Sequence, residues 1–194
     1  MTTSQTIGKK PLALTDMVQI GLFAAVMAVC AWISVPAPAP LVPFTMQTFG
    51  VFLTLELLGG KRGTLSILVY MLLGAVGVPV FSGFRGGMSV LFGTTGGYIL
   101  GFLLTALLYW GVTHLLGRKL WVRVMALVVG LLVCYLFGTI WFSILYTQQK
   151  APLGIGAAMM LCVVPYLLPD AVKLALAMGL SAAVKSRVKL AAHD

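Results

Sequence analysis

Apolar stretches too long for a small soluble core recur along this 194-residue chain, divided by short basic, proline-rich or glycine-rich breaks. Six stretches are legible, at about 15–35, 45–58, 64–78, 97–116, 122–146 and 154–188. A helix needs about 20 apolar residues to cross a bilayer. Hydrophobic residues make up 60% of the chain and charged ones 9%, against about 25% charged in soluble domains. A chain of this size has no interior large enough to hide that surface, so it must face lipid. The expectation is an all-α membrane protein with six transmembrane helices and a single domain over 1–194. A cytoplasmic lead takes 1–14, the helix bundle 15–188 and a cytoplasmic tail 189–194. The first apolar stretch is too long, and too poor in a cleavage site, for a removable signal peptide.

The breaks shape this bundle. Pro36, Pro38, Pro40 and Pro43 make an extended loop after the first stretch. The second stretch, short for a span, stops at Gly59-Gly60, and the third at Pro79. Gly83, Gly86, Gly87, Gly93, Gly96 and Gly97 point to an ordered loop between helices 3 and 4. Pro165 and Pro169 interrupt the last stretch, so the sixth span is expected to be discontinuous, with its main helix beginning at Asp170. Basic residues set the orientation. Lys9, Lys10, Lys61, Arg62, Arg118, Lys119, Arg123, Lys185, Arg187 and Lys189 fall on one side of six spans, and only Arg85 and Lys150 on the other. The positive-inside rule then places both termini in the cytoplasm of a bacterial inner membrane. The formal net charge of +9 is distributed in short runs between apolar segments, which suits anionic membrane lipid rather than nucleic acid.

Chemistry is concentrated in a few polar residues. Asp170 and Lys173, in LPDAVKLALA, share one helix face at i, i+3. Charges at such depth are costly and usually face an interior cavity. With Pro169 before it, Asp170 is expected in the first helical turn, where free N–H groups are available. A structural Asp–Lys pair with an N-cap also fits. Arg85 lies among glycines in FSGFRGG, on the side almost free of basic residues; it is either a ligand contact or a surface arginine. Gln47, in PFTMQT, opens the second span on that same side, as a ligand contact or an ordinary helix-end residue. Together Arg85, Lys173 and Asp170 leave one uncompensated positive charge, which a small monocarboxylate would neutralise.

Other features carry less. Gly21, Ala24, Ala25 and Ala28 give small-xxx-small spacings that let another helix approach, inside or outside this chain. Glu56 is expected to form an interfacial ion pair with Lys61 and Arg62. Trp32, Phe44, Phe81, Tyr98, Trp141, Tyr146 and Tyr166 suit an outer aromatic belt, with one or two free to stack on a ligand. Cys30, Cys134 and Cys162 read as small hydrophobes, and His114 and His193 are far apart, so no metal site is expected. The sequence has no GxxxxGKS/T loop, no HExxH and no GxSxG, so neither ATP hydrolysis nor a familiar hydrolase centre is expected. A binding or permeation component without enzymatic activity or cofactor is the reading. An intramembrane enzyme using Asp170 or Lys173 as acid-base group is the rival, and it lacks a second reacting group.

Four blocks resemble the signature of the BioY family: PFTMQTFGVFLT, GKRGTLSILVYMLLGAVGVPVFSGFRGG, GTTGGYILGF and PYLLPDAVKLALA. They occur in the family's order between about residues 17 and 185. Thr94 stands where the family commonly has proline, and Glu56 where an apolar or small residue is usual. The resemblance implies a substrate-binding S component of an energy-coupling-factor transporter, with biotin as its transported ligand. A different small vitamin is the alternative within that class. It also implies Arg85 and Lys173 on the valerate carboxylate, Asp170 on a ureido N–H and, less directly, Gln47 in the site. Ala24 and Ala28 match the motif by which S components dock on a transmembrane coupling protein, itself driven by ABC ATPase subunits.

Overall fold

A computed structural model describes residues 13–36, 42–149 and 152–187. The expected cytoplasmic lead as far as residue 12 and the tail, with Lys9, Lys10 and Lys189, lie outside the described residues, as do Pro38, Pro40, Lys150 and His193. Helix α1 (Leu14–Trp32) leads to β1 (Ser34–Val35) and β2 (Phe44–Thr45), which pair antiparallel with Ser34 opposite Thr45. Then follow α2 (Gln47–Ala75), α3 (Met88–Leu91), α4 (Gly96–Leu116), α5 (Leu120–Gln149), α6 (Ile155–Cys162) and α7 (Val164–Arg187). The result is an all-α helical bundle. Among the described residues, α1, α4, α5 and α7 are long and apolar enough to cross a membrane. Their outer faces are apolar too: Leu22, Leu132, Leu136, Ile144, Leu168 and Leu176 are all exposed, as suits helices in lipid.

Helix α2 is not one rod. At 1.5 Å per residue, a straight helix would hold residues 47 and 70 roughly 34 Å apart. Yet Gln47 Nε2 donates to Tyr70 Oη at 2.6 Å. The chain reverses at Gly59, whose φ of 81° and ψ of −178° belong to a region essentially reserved for glycine. Two arms result, 47–58 and 60–75, packed so closely that a Cβ at Gly63 would lie 2.9 Å from Leu55 Cδ2. The second and third apolar stretches of the sequence are these arms.

Helix α4 packs most extensively on α5, and small residues let the two backbones approach. A Cβ at Gly101 would fall 2.7 Å from Cys134 Sγ, and one at Gly130 2.7 Å from Thr105 Cγ2. Thr105 Oγ1 donates across this seam to the Gly130 carbonyl at 2.8 Å. Without a hydrophobic drive between helices in lipid, close packing and such hydrogen bonds hold them.

Two local expectations need correction. The discontinuity of the last stretch is at Val163 (φ −122°, ψ −55°), and α7 starts at Val164 rather than Asp170. Pro165 sits in the first turn, where a missing N–H is harmless, and Pro169 lies inside the helix. Asp170 is thus beyond the first turn and caps nothing. Glu56 is fully buried, not interfacial. Because the chain reverses at Gly59, Lys61 turns outward and Arg62 pairs with Asp16 of α1 at 3.3 Å. Glu56 instead forms an ion pair with Arg123 of α5 and accepts from Tyr109 Oη of α4 at 3.1 Å. Lys185 Nζ of α7 is 4.0 Å away.

Gly59→Ala should destabilise the protein by about 1–3 kcal/mol through its backbone conformation alone, before its Cβ meets Arg118 Nη2 at 2.9 Å. Gly21→Ala, a helical site with open space around it, should be neutral or mildly stabilising. Thermal melting in detergent compares the two; an unshifted Gly59→Ala protein would remove the strained reversal.

Candidate ligand-binding site

The first arm of α2, the loop before α4, and α4, α5, α6 and α7 enclose a cavity of about 80 Å³. On the same measure a single water needs about 10–15 Å³. Aromatic and aliphatic groups form most of its wall, among them Phe81, Tyr98, Phe102 and Tyr166. Gln47, Arg85, Asp170 and Lys173 all reach it.

Asp170 and Lys173 are buried on one face of α7, with Lys173 Nζ 2.7 Å from Asp170 Oδ1. Three elements converge on this carboxylate. Thr48 Oγ1, from the first turn of α2, donates to Oδ1 at 2.9 Å. Tyr135 Oη, from α5, donates to Oδ2 at 2.5 Å. The ammonium is equally occupied: besides Asp170 it donates to the Thr45 carbonyl at 2.7 Å and to Thr48 Oγ1 at 3.2 Å. An ammonium has three N–H groups, and all three have acceptors. The Phe44 ring covers it, with its centroid 4.0 Å from Nζ.

Gln47 is buried, and its amide is engaged with Tyr70, whose hydroxyl donates to the Val80 carbonyl at 3.1 Å. The chain Gln47–Tyr70–Val80 thus binds both arms of α2 to the start of the loop. Arg85 differs from the other three: it is exposed at the rim. Its Nε donates to the Ser82 carbonyl at 3.0 Å, within a turn closed by the Phe81–Arg85 bridge, and it has no ion pair among the described residues. The next-door Phe84 takes a φ of 55° and stacks on Trp32 at 5.1 Å between centroids. Trp32 Nε1 donates to the Pro79 carbonyl at 2.8 Å. The loop is thereby fastened to the end of α1.

The four sequence candidates therefore share one cavity, but their charges are arranged differently from the expected sum. Lys173 is neutralised by Asp170, so the surplus positive charge is that of Arg85. Sequence reasoning missed Thr45, Thr48 and Tyr135. Their hydroxyls and carbonyls carry no charge, and one tyrosine within the apolar run LLVCYLFGTI resembles any core ring. The fifth and sixth candidates, Ala24 and Ala28, do not line the cavity. They are buried on the inner side of α1, facing the chain's own core. Gly21 and Ala25 are the small residues of α1 that stay exposed.

A bundle of lipid-facing helices around an apolar cavity, with a buried ion pair in its wall and one arginine at its rim, defines a membrane-embedded solute-binding protein. The chain belongs to the BioY family, whose sequence profile matches residues 2–190. It is 42% identical over 158 residues to a "Probable biotin transporter BioY" of Pyrococcus horikoshii, covering 81% of this chain and 88% of that one. With the "Biotin transporter BioY" of Rhodobacter capsulatus it shares 34% identity over 164 residues, 79% and 84% of the two chains. A shorter match at 50% identity, to the Thermotoga maritima "Biotin transporter BioY", spans 48% of this chain and 54% of its relative. The fold is that of the crystal structure of an S-component for biotin from an ECF-type ABC transporter. That similarity has a TM-score of 0.78 at 22% identity, with 94% and 95% of the chains covered.

Proposed function

We propose that this chain is the biotin-binding S component of an ECF-type ABC transporter, a transport protein rather than an enzyme. The observation that carries the reading is the separation of roles around one aromatic cavity. A buried carboxylate, Asp170, accepts hydrogen bonds deep in the wall, while a guanidinium without an ion pair among the described residues, that of Arg85, lies at the rim. Biotin has the matching pattern: a ureido ring whose N–H groups donate at one end, an apolar body, and a carboxylate at the other. Asp170 accepts from the ureido N–H, and Arg85 pairs with the carboxylate. Lys173, with its three N–H groups engaged, holds the Asp170 carboxylate in place, and the ligand's carboxylate is left to Arg85. Gln47 acts as a positioning residue through Tyr70.

Six spans follow if α1, the two arms of α2, α4, α5, and α6 with α7 are counted, and the basic residues then put both termini in the cytoplasm. A cysteine introduced near residue 4 of a Cys-free variant should stay unlabelled by an impermeant thiol reagent in intact cells. Labelling there would reverse the orientation.

Energy for uptake comes from partner subunits, since the sequence holds no ATP-binding loop. The coupling protein docks on α1 through the exposed Gly21 and Ala25 face, because Ala24 and Ala28 are covered by this chain. Ala25→Trp should keep biotin binding and abolish ATP-dependent uptake; normal uptake would place docking elsewhere.

Purified protein should retain labelled biotin through gel filtration. A charge-assisted hydrogen bond contributes about 1.5–3 kcal/mol, so Arg85→Met should weaken biotin about 10- to 100-fold. It should hardly alter binding of biotin methyl ester, which has no carboxylate to pair. Lys173→Met should weaken acid and ester alike, through loss of the Asp170 network. If Arg85→Met reduced both ligands equally, the carboxylate would not lie at Arg85.

A further inference from the structure

Beside the binding cavity is a second recess, and the two have a common wall. Pro43, Arg85, Val90 and Thr95 face both. Ser89, Gly93 and Thr94 complete the outer recess, which holds about 360 Å³ against about 80 Å³ inside. The inner cavity is walled by rings, and its buried charges are already paired. The outer recess has four polar residues in its lining, Ser89, Thr94, Thr95 and Arg85, and Arg85 has no ion pair among the described residues.

This placement decides what can be attached to the ligand. A carboxylate held at Arg85 lies at the junction of the two spaces, not against a closed wall. A group joined to that carboxylate enters the recess and leaves the ureido end undisturbed at Asp170. We infer that the outer recess is an extension of the binding site, admitting biotin conjugates whose carboxylate is joined by an amide bond to an amino acid. The amide carbonyl still offers Arg85 an acceptor. The carboxylate and ammonium of the attached amino acid then lie among Ser89, Thr94 and Thr95, where polar groups can replace their water. The inference rests on the biotin site proposed above.

The probe is Nε-biotinyl-lysine, competing with labelled biotin on the purified full chain. It should compete with an affinity within about tenfold of biotin's own. Two variants separate the recess from the cavity: Ser89→Trp fills it, and Thr94→Pro removes its hydroxyl. Neither residue lines the inner cavity. Both variants should leave biotin affinity within about twofold and weaken the conjugate about tenfold or more, with the larger loss for Ser89→Trp. Failure of the conjugate to compete on wild-type protein that binds biotin would overturn the inference. So would equal effects of both variants on the two ligands, or no effect of either on the conjugate. Absence of biotin binding in the wild-type protein would instead bring down the underlying biotin reading, and the recess with it.

Discussion

The Asp170 carboxylate is the point on which the bundle's geometry depends. Helices in lipid have no hydrophobic reason to choose one neighbour over another, so directional bonds must choose for them. Thr48 from α2, Tyr135 from α5 and Lys173 from α7 itself all terminate on this one group. Each partner is also necessary. An ionised carboxylate at this burial costs several kcal/mol unless its lone pairs are satisfied. The same bonds that register three helices against one another make up the polar end of the cavity. Architecture and recognition are therefore not separable here: moving α7 by one turn would strand a charge and dismantle the site together.

A second ionic cluster occupies the other end of the same helix. From Lys173 to Lys185 is about 18 Å along α7, and Lys185 joins Arg123 and Tyr109 around the buried Glu56. Helix α7 is thus fixed near both ends, to α2 in each case, with apolar packing such as Ala177 between. The basic residues around Glu56 are what make a buried carboxylate tolerable there.

The sequence disclosed the bundle readily, because lipid demands apolar length and that demand is visible in any window of residues. Gly59-Gly60 also announced the reversal between the second and third stretches. Charges in apolar surroundings are equally conspicuous, and Arg85, Asp170 and Lys173 stand out in the sequence on that ground alone. What escaped was pairing. Whether Lys173 faces a ligand or Asp170 depends on helix rotation, and whether Glu56 meets Arg62 or Arg123 depends on which way the chain leaves Gly59. The start of α7 was misplaced for a related reason: Pro165 and Pro169 both look like breaks, but the first turn accepts Pro165 and the helix continues through Pro169. Tyr135 and Thr48 gave no signal, since hydroxyls in apolar runs are common and only their convergence is informative. Ala24 and Ala28 had the right spacing for close approach, and spacing alone does not say from which side.

The two buried carboxylates also differ in when their counter-charges become available. Asp170 is followed three residues later by Lys173, so α7 carries its own neutralising partner as it emerges from the ribosome. Glu56 has no such companion. Its partners, Tyr109, Arg123 and Lys185, belong to α4, α5 and α7, all synthesised after it. When the hairpin of α2 is first made, its carboxylate has no basic residue of those helices to meet. The Glu56 cluster can therefore begin to close only once α5 has supplied Arg123, and it is complete only when α7 has brought Lys185.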